Sequence, residues 1–227
     1  MTEAEQGIKI TEAGITLKEY IPIAFGWSLG IASSLLIYWF GRFRKRRDFK
    51  NGLKTELIES LPRMTSSVLS LKTKLGTVDH EHLNWLRNSL IKYYSPEKIV
   101  ELFPMINELL RQTPDALEKA SDGIKFLNEG KEKELRKFNL VFLENHLDKI
   151  LLLDIDSQKL IYNIQFRIDV VNQAVDRYFF YFDKTLEPEI FKVNKNPLNE
   201  NMDASYEMIA KTLFLVTNDI IELLKKL

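Results

Sequence analysis

The densest group of chemistry-bearing side chains is Asp79-His80-Glu81-His82, in which Asp79 and His82, three residues apart, share one face of a helix. Carboxylate and imidazole together can hold a divalent cation or pass a proton. Helical bundles that bind two metal ions need two Glu-x-x-His pairs and two further carboxylates, and this sequence has no second pair. The group therefore reads as a polar helix start, with Asp79 as its N-cap. Asp154 and Asp156 offer oxygen ligands to a hard cation, but they stand just before a long helical pattern, which assigns Asp156 to capping. His146 is the remaining histidine.

Of the familiar catalytic signatures, G-x-G-x-x-G, G-x-x-x-x-G-K-[ST] and H-E-x-x-H do not occur, and G-x-S-x-G is matched only by Gly26 to Gly30, inside an uncharged apolar stretch and not at a strand-to-helix turn. With no cysteine there is no thiolate zinc site, iron–sulfur cluster, cysteine nucleophile or disulfide framework. The expectation is a protein that is not an enzyme, with no catalytic, cofactor-binding or metal-binding residue and no cofactor. Thirty-two basic residues balance thirty-two acidic ones among 227, so a polycation acting by charge alone is excluded. At 45% hydrophobic residues, the composition is that of a folded chain rather than a disordered one.

One segment departs from that average. Residues 20–41 read YIPIAFGWSLGIASSLLIYWFG, twenty-two residues without a charge, where about 20 apolar residues cross a bilayer core. Tyr20, Tyr38 and Trp39 lie near its ends, at the headgroup level that aromatic rings prefer. Pro22 is expected in the first helical turn, where its missing N–H is harmless. The flank before the segment carries Glu3, Glu5, Glu12 and Glu19 against Lys9 and Lys18, a net of −2. Residues 42–54 carry Arg42, Arg44, Lys45, Arg46, Arg47, Lys50 and Lys54 against Asp48, a net of +6. Because Lys- and Arg-rich flanks stay in the cytoplasm, the N-terminus is expected outside the cell (inner) membrane and the rest inside. This charge order is the reverse of a cleaved signal peptide, so the segment is expected to remain as an anchor.

Directly after a membrane helix, the cluster Arg42, Arg44, Lys45, Arg46, Arg47 and Lys50 reads as a topology determinant that also meets anionic lipid headgroups. Nucleic acid is disfavoured as its partner for the same reason. Within the span, Gly26, Gly30 and Ser34 fall at i, i+4 and i+8, a small-residue face on which a second helix can pack closely.

After the span the apolar period is helical. Leu57, Leu61, Met64, Val68, Leu71 and Leu75 form one seam, with Pro62 as a point for a kink, on a helix from about 48 to 75 that can continue the span. A helix from Asp79 to about Tyr94 follows, burying Leu83, Leu86, Leu90 and Tyr93. Ser95-Pro96 and Thr113-Pro114 then start two more, the first kinked or split at Pro104, and Asn128 to Gly130 closes the next. Long helices are expected at 131–153, 157–186 and 203–226. Seams run through Ile161, Ile164, Ile168, Val171, Val175, Tyr178 and Phe182, and through Tyr206, Ile209, Leu213, Val216, Ile220, Leu223 and Leu227. The Pro- and Asn-rich stretch 187–201 reads as a long surface loop and a candidate partner-binding element. In the run Tyr178-Phe179-Phe180-Tyr181-Phe182, burial is favoured over an interface role.

The resulting expectation is an all-α chain: a short extracytoplasmic tail (1–19), a transmembrane helix (20–41), a basic juxtamembrane segment (42–54) and a cytoplasmic bundle of six or seven helices (55–227). For function, it is an anchored bundle that binds a protein partner or itself and couples a cytoplasmic event to the membrane. The alternative makes the oligomerised span an effector that permeabilises the membrane, in a toxin-like or phage-defence role.

Overall fold

The computed structural model describes residues 17–93, 102–127, 135–186 and 196–227. Among them there are helices and connections and no strand, so the chain is all-α. The helices are α1 (Leu17–Leu75), α2 (His80–Ile91), α3 (Leu102–Arg111), α4 (Pro114–Leu127), α5 (Val141–Glu144), a 3-10 helix (Leu147–Leu152), α6 (Ile155–Thr185) and α7 (Asn196–Lys226). Two compact units divide between Arg47 and Asp48.

The second unit is built on the three seams. Leu57, Leu61, Met64, Val68 and Leu71 of α1 are buried, with Leu75 partly so, and Phe49 and Leu53 extend the seam upstream. The core therefore starts at Phe49. Every predicted seam residue of α6 from Ile161 to Tyr178, and of α7 from Tyr206 to Leu223, is buried in the same core, with Phe182 and Leu227 at its margin. A 3-4 repeat keeps one stripe of each helix facing its partner, and α6 and α7 form the most extensive helix–helix interface. A smaller core joins Leu69 of α1 with Val78 and with residues of α2, α3 and α4, among them Leu83, Leu86, Phe103, Ile106 and Leu117. Trp85 packs against both cores and donates to Asn218 Oδ1 at 2.8 Å.

The local stops and starts have chemical causes. Gly76 adopts a left-handed φ of 69° after α1, with Thr77 N–H bonded to Lys72 O (2.9 Å) and Gly76 N–H to Thr73 O (3.3 Å). This is the Schellman closure, which glycine favours because it lacks a Cβ. Asp79 caps α2 through His82 N–H, as its position predicts. Thr113 caps α4, whose first residue is Pro114.

The structure departs from the sequence expectation in several places. Of the helix expected over 131–153, residues 131–134 lie outside the described residues, and the rest is instead a segment without helix or strand (135–140), the single-turn α5 and the 3-10 helix. Asn172 of α6 holds this segment in two directions, accepting from Phe138 N–H and donating to Phe138 O, each at 2.9 Å. Leu140, Leu143, Ile150 and Leu153 reach the core at spacings of 3, 7 and 3 that a single helix would also give, but tertiary partners satisfy backbone groups a helix would have paired. The N-cap of α6 is Asp154, not Asp156: Asp154 accepts from Ser157 N–H (2.9 Å) and Ser157 Oγ (2.8 Å), while Asp156 faces Lys226 Nζ at 3.5 Å.

Helix α7 begins at Asn196, seven residues before the expected start, so 196–201 is helix rather than loop. Pro197 is tolerated there because the first N–H groups of a helix have no intrahelical acceptor. Residues 187–195, the Ser95-Pro96 start and the Asn128 to Gly130 stop lie outside the described residues. Because α1 begins at Leu17, Pro22 falls in its second turn rather than its first, where it removes the donor for the Lys18 carbonyl. The helix runs through Pro62 without interruption. Of the aromatic run only Tyr178 is buried; Tyr181 and Phe182 are half-buried, and Phe179 and Phe180 are 40% and 58% exposed.

Candidate functional site

The N-terminal part of α1 is long and apolar enough to cross a membrane. From Ile23 to Phe43 every large apolar side chain is more than half exposed, on all sides of the helix. A surface helix of a water-soluble protein is apolar on one stripe only, so an all-round apolar surface needs an apolar surrounding. Ser28, Ser33 and Ser34 turn their hydroxyls back onto the carbonyls of Ala24 (2.7 Å), Leu29 (2.7 Å) and Gly30 (2.9 Å). Their polar hydrogens are thereby satisfied inside the helix, the condition for placing serine in hydrocarbon.

Gly26, Gly30 and Ser34 lie along one side of this helix. Gly30 and Ser34 floor a groove walled by Trp27, Ile31 and Leu35, and a Cβ added at Gly26 or Gly30 would meet nothing within 4 Å. The groove is thus open to an approaching helix along the face that the small residues define. Toward the end of the apolar stretch Trp39 stacks on Phe43 (5.4 Å to Phe40 edge-on, 6.0 Å to Phe43).

Arg42, Arg44, Lys45, Arg46 and Arg47 follow, all exposed, with Lys50 half-buried beside the buried Phe49. Successive residues of an α-helix are turned by about 100°, so this run makes a collar of charge rather than a one-sided strip. A collar fits a plane of headgroups around the helix; reading a nucleic-acid groove asks for charge gathered on one face.

Of the three histidines, His80 turns to a partner distant in sequence, and His82 and His146 bond to groups three and four residues before them. His80 Nε2 is 2.9 Å from Gln112 O, and His146 Nδ1 is 2.8 Å from Phe142 O. His82 Nδ1 lies 2.7 Å from the Asp79 carboxylate, to which it donates, and Lys72 Nζ stands 3.3 Å from the same nitrogen. Burial pushes the Lys72 ammonium below the usual lysine range against the attraction of Asp79 and Glu81. Burial raises the Asp79 carboxyl, but the hydrogen bonds and charge of His82, with the charge of Lys72, outweigh it and hold the group below the usual carboxylate value. Lys72 was not singled out by the sequence; the three side chains meet because the Gly76 turn folds α2 back beside the end of α1. Lys72 and His82 border a cavity of about 410 Å³ with Glu207, Lys211 and Phe214 of α7. Their evident effect is to clasp that turn.

Compared with known protein families, curated proteins and solved structures, the chain matches none. Function is therefore argued from the site alone.

Proposed function

We propose that the chain is a single-pass membrane protein, N-terminus outside and helical bundle in the cytoplasm, whose bundle binds a protein partner or a second copy and so couples a cytoplasmic event to the membrane. The observation that carries this reading is the contrast between the two units: Ile23 to Phe43 exposes apolar side chains all round, whereas Asp48–Leu227 closes its own core. The step in charge from −2 before the span to +6 after it supports this orientation, and the basic collar suits anionic lipid headgroups as neighbours on the inner side of a cell (inner) membrane. A second reading, in which the span oligomerises and permeabilises the membrane, draws on the open groove at Gly30 and Ser34. It is the weaker of the two, because no Asp, Glu, Lys, Arg or His lies between Tyr20 and Gly41 to line a hydrated path.

Protease added to intact spheroplasts tests the topology. The region from residue 42 onward should survive until the membrane is opened by detergent, and a C-terminal fluorescent fusion should be bright. Digestion of that region from outside would overturn the orientation and the coupling role with it.

A further inference from the structure

At the end of the bundle where α1 enters it, the elements gathered around α1 are apolar outward as well as inward. Phe49, the first core residue of α1, stacks on Phe142 (5.9 Å), Phe142 stacks on His146 (4.3 Å), and the 3-10 helix starts at the next residue. The last turn of α7 reaches the same end, with Lys226 beside Asp156 in the first turn of α6. Leu143, Ile150 and Leu153 turn into the core. Between them Val141, Leu147, Leu151 and Ile155 stay bare, 59%, 47%, 69% and 69% exposed. Four large apolar side chains in so short a segment exceed the scattered apolar exposure of an ordinary surface and ask for a cover.

Chain length sets what lies near that end. Only residues 42–48 separate Gly41, the last of the uncharged stretch, from Phe49, a reach of at most about 30 Å fully extended and about 12 Å as helix. Whatever direction the bundle takes, Phe49 stays within that reach of Gly41, while α1 carries its other end, Leu75, about 40 Å beyond Phe49. A tether this short presents a lipid surface at a high effective concentration, so even a weak apolar contact is populated. Charge does not decide the contact: from 141 to 159, Lys149 and Lys159 stand against Glu144, Asp148, Asp154 and Asp156, a net of −2, which Lys225 and Lys226 bring to zero. We propose that this end of the bundle docks on the bilayer surface, with Val141, Leu147, Leu151 and Ile155 inserted among the headgroups and upper acyl chains and the charged groups left at the wet headgroup level. The proposal rests on the reading of 20–41 as a membrane span and adds a second lipid contact, separate from the basic collar, that fixes how the bundle stands on the membrane.

The chain has no cysteine, so single ones can be introduced and labelled with the environment-sensitive fluorophore NBD. Full chains carrying Phe40→Cys, Val141→Cys, Leu151→Cys or Thr77→Cys are placed in phosphatidylcholine nanodiscs with and without lipid bearing a nitroxide at the headgroup or the top of the acyl chain. The Phe40 position reports the span, and Thr77 lies just past Leu75 at the far end of α1. Labels at 40, 141 and 151 should lose fluorescence to the nitroxide and emit at shorter wavelength than the label at 77, which should be unquenched. Leu151→Glu with Ile155→Glu should free the label at 141 from quenching and leave the label at 40 quenched, with the thermal melt unchanged because both positions are exposed. Quenching at 40 without quenching at 141 and 151 would overturn the docking and leave the span standing. A label at 151 that is shifted to shorter wavelength yet unquenched would show that protein covers this face, and equal quenching at 77 and 151 would show that neither end is preferred; either result overturns the proposal. An unquenched label at 40 would remove the span, and the docking with it.

Discussion

The Glu56 carboxylate caps a helical turn through N–H groups 86 and 87 residues later in the chain: Oε1 accepts from Phe142 N–H at 2.6 Å and Oε2 from Leu143 N–H at 3.0 Å. Leu140, the residue at the N-cap position of α5, supplies no side-chain bond, so α1 provides the cap in its place. Glu56→Ala leaves two half-buried backbone donors without an acceptor and should lower stability by about 2 to 3 kcal/mol, the range for a hydrogen bond to a charged group. Glu56→Gln keeps one acceptor and should recover part of the loss. Thermal melts of the full chain in detergent, followed by circular dichroism, measure both; a melt unchanged in Glu56→Ala would show that the cap does not stabilise the fold.

One turn earlier, Gly52 is the position where the Phe142 ring lies against the α1 backbone, and a Cβ there would collide with that ring. The ring is fixed by stacking on Phe49 (5.9 Å) and on His146 (4.3 Å), so it cannot swing aside freely. By propensity alone Gly→Ala in a helix should gain about 1 kcal/mol; overpacking should reverse that and cost about 1 to 3 kcal/mol net. In a Phe142→Leu background the same Gly52→Ala change should turn neutral or stabilising. A double-mutant cycle reads the coupling, and additive effects would sink the account.

At the α6 N-cap, the Ser157 N–H and hydroxyl bonds hold the Asp154 carboxyl below its ordinary value of 3.8, against a small opposing effect of burial. A depressed native pKa means that the ionised cap stabilises the fold fully above the unfolded value, and that this contribution is lost as pH falls through the lower native value. Asp154→Ala should therefore cost about 1 kcal/mol near neutral pH. The difference from wild type should shrink as pH drops below 3.8. Asp154→Asn should keep most of the cap and show little of this pH dependence. Urea denaturation across the acid range checks it, and a gap that widens toward low pH would contradict the sign.

Within the apolar stretch, a Cβ at Gly30 meets nothing within 4 Å, so Gly30→Ile can place its side chain in the groove lined by Trp27, Ile31, Ser34 and Leu35. The variant should stay in the membrane with the bundle folded, because neither the span's hydrophobicity nor the bundle core is changed. If the protein works as an anchored binder, cells expressing native chain or variant should both keep their membrane potential and exclude dye. Leakage with the native chain that disappears in Gly30→Ile would establish self-association of the span as the active event.

Periodicity alone determined the parts of this protein whose burial is regular. An uncharged stretch of twenty-two residues needs no partner to be recognised, and the 3-4 seams of α1, α6 and α7 mark buried stripes because each helix presents one face to the core over several turns. Caps made by neighbours in sequence, such as Asp79 on His82 and Thr113 on Ala116, were legible for the same local reason. What only the tertiary structure decided depends on groups brought together from distant positions. The stretch 135–152 has Leu, Ile and Phe at spacings that look helical, but Glu56 and Asn172 take up backbone hydrogen bonds that a continuous helix would have paired internally. The choice between Asp154 and Asp156 as cap turned on backbone angles two residues apart, to which composition is blind. Lys72 beside His82 follows from the Gly76 turn. A spacing pattern records which face of one element is apolar; it does not record which element that face will meet.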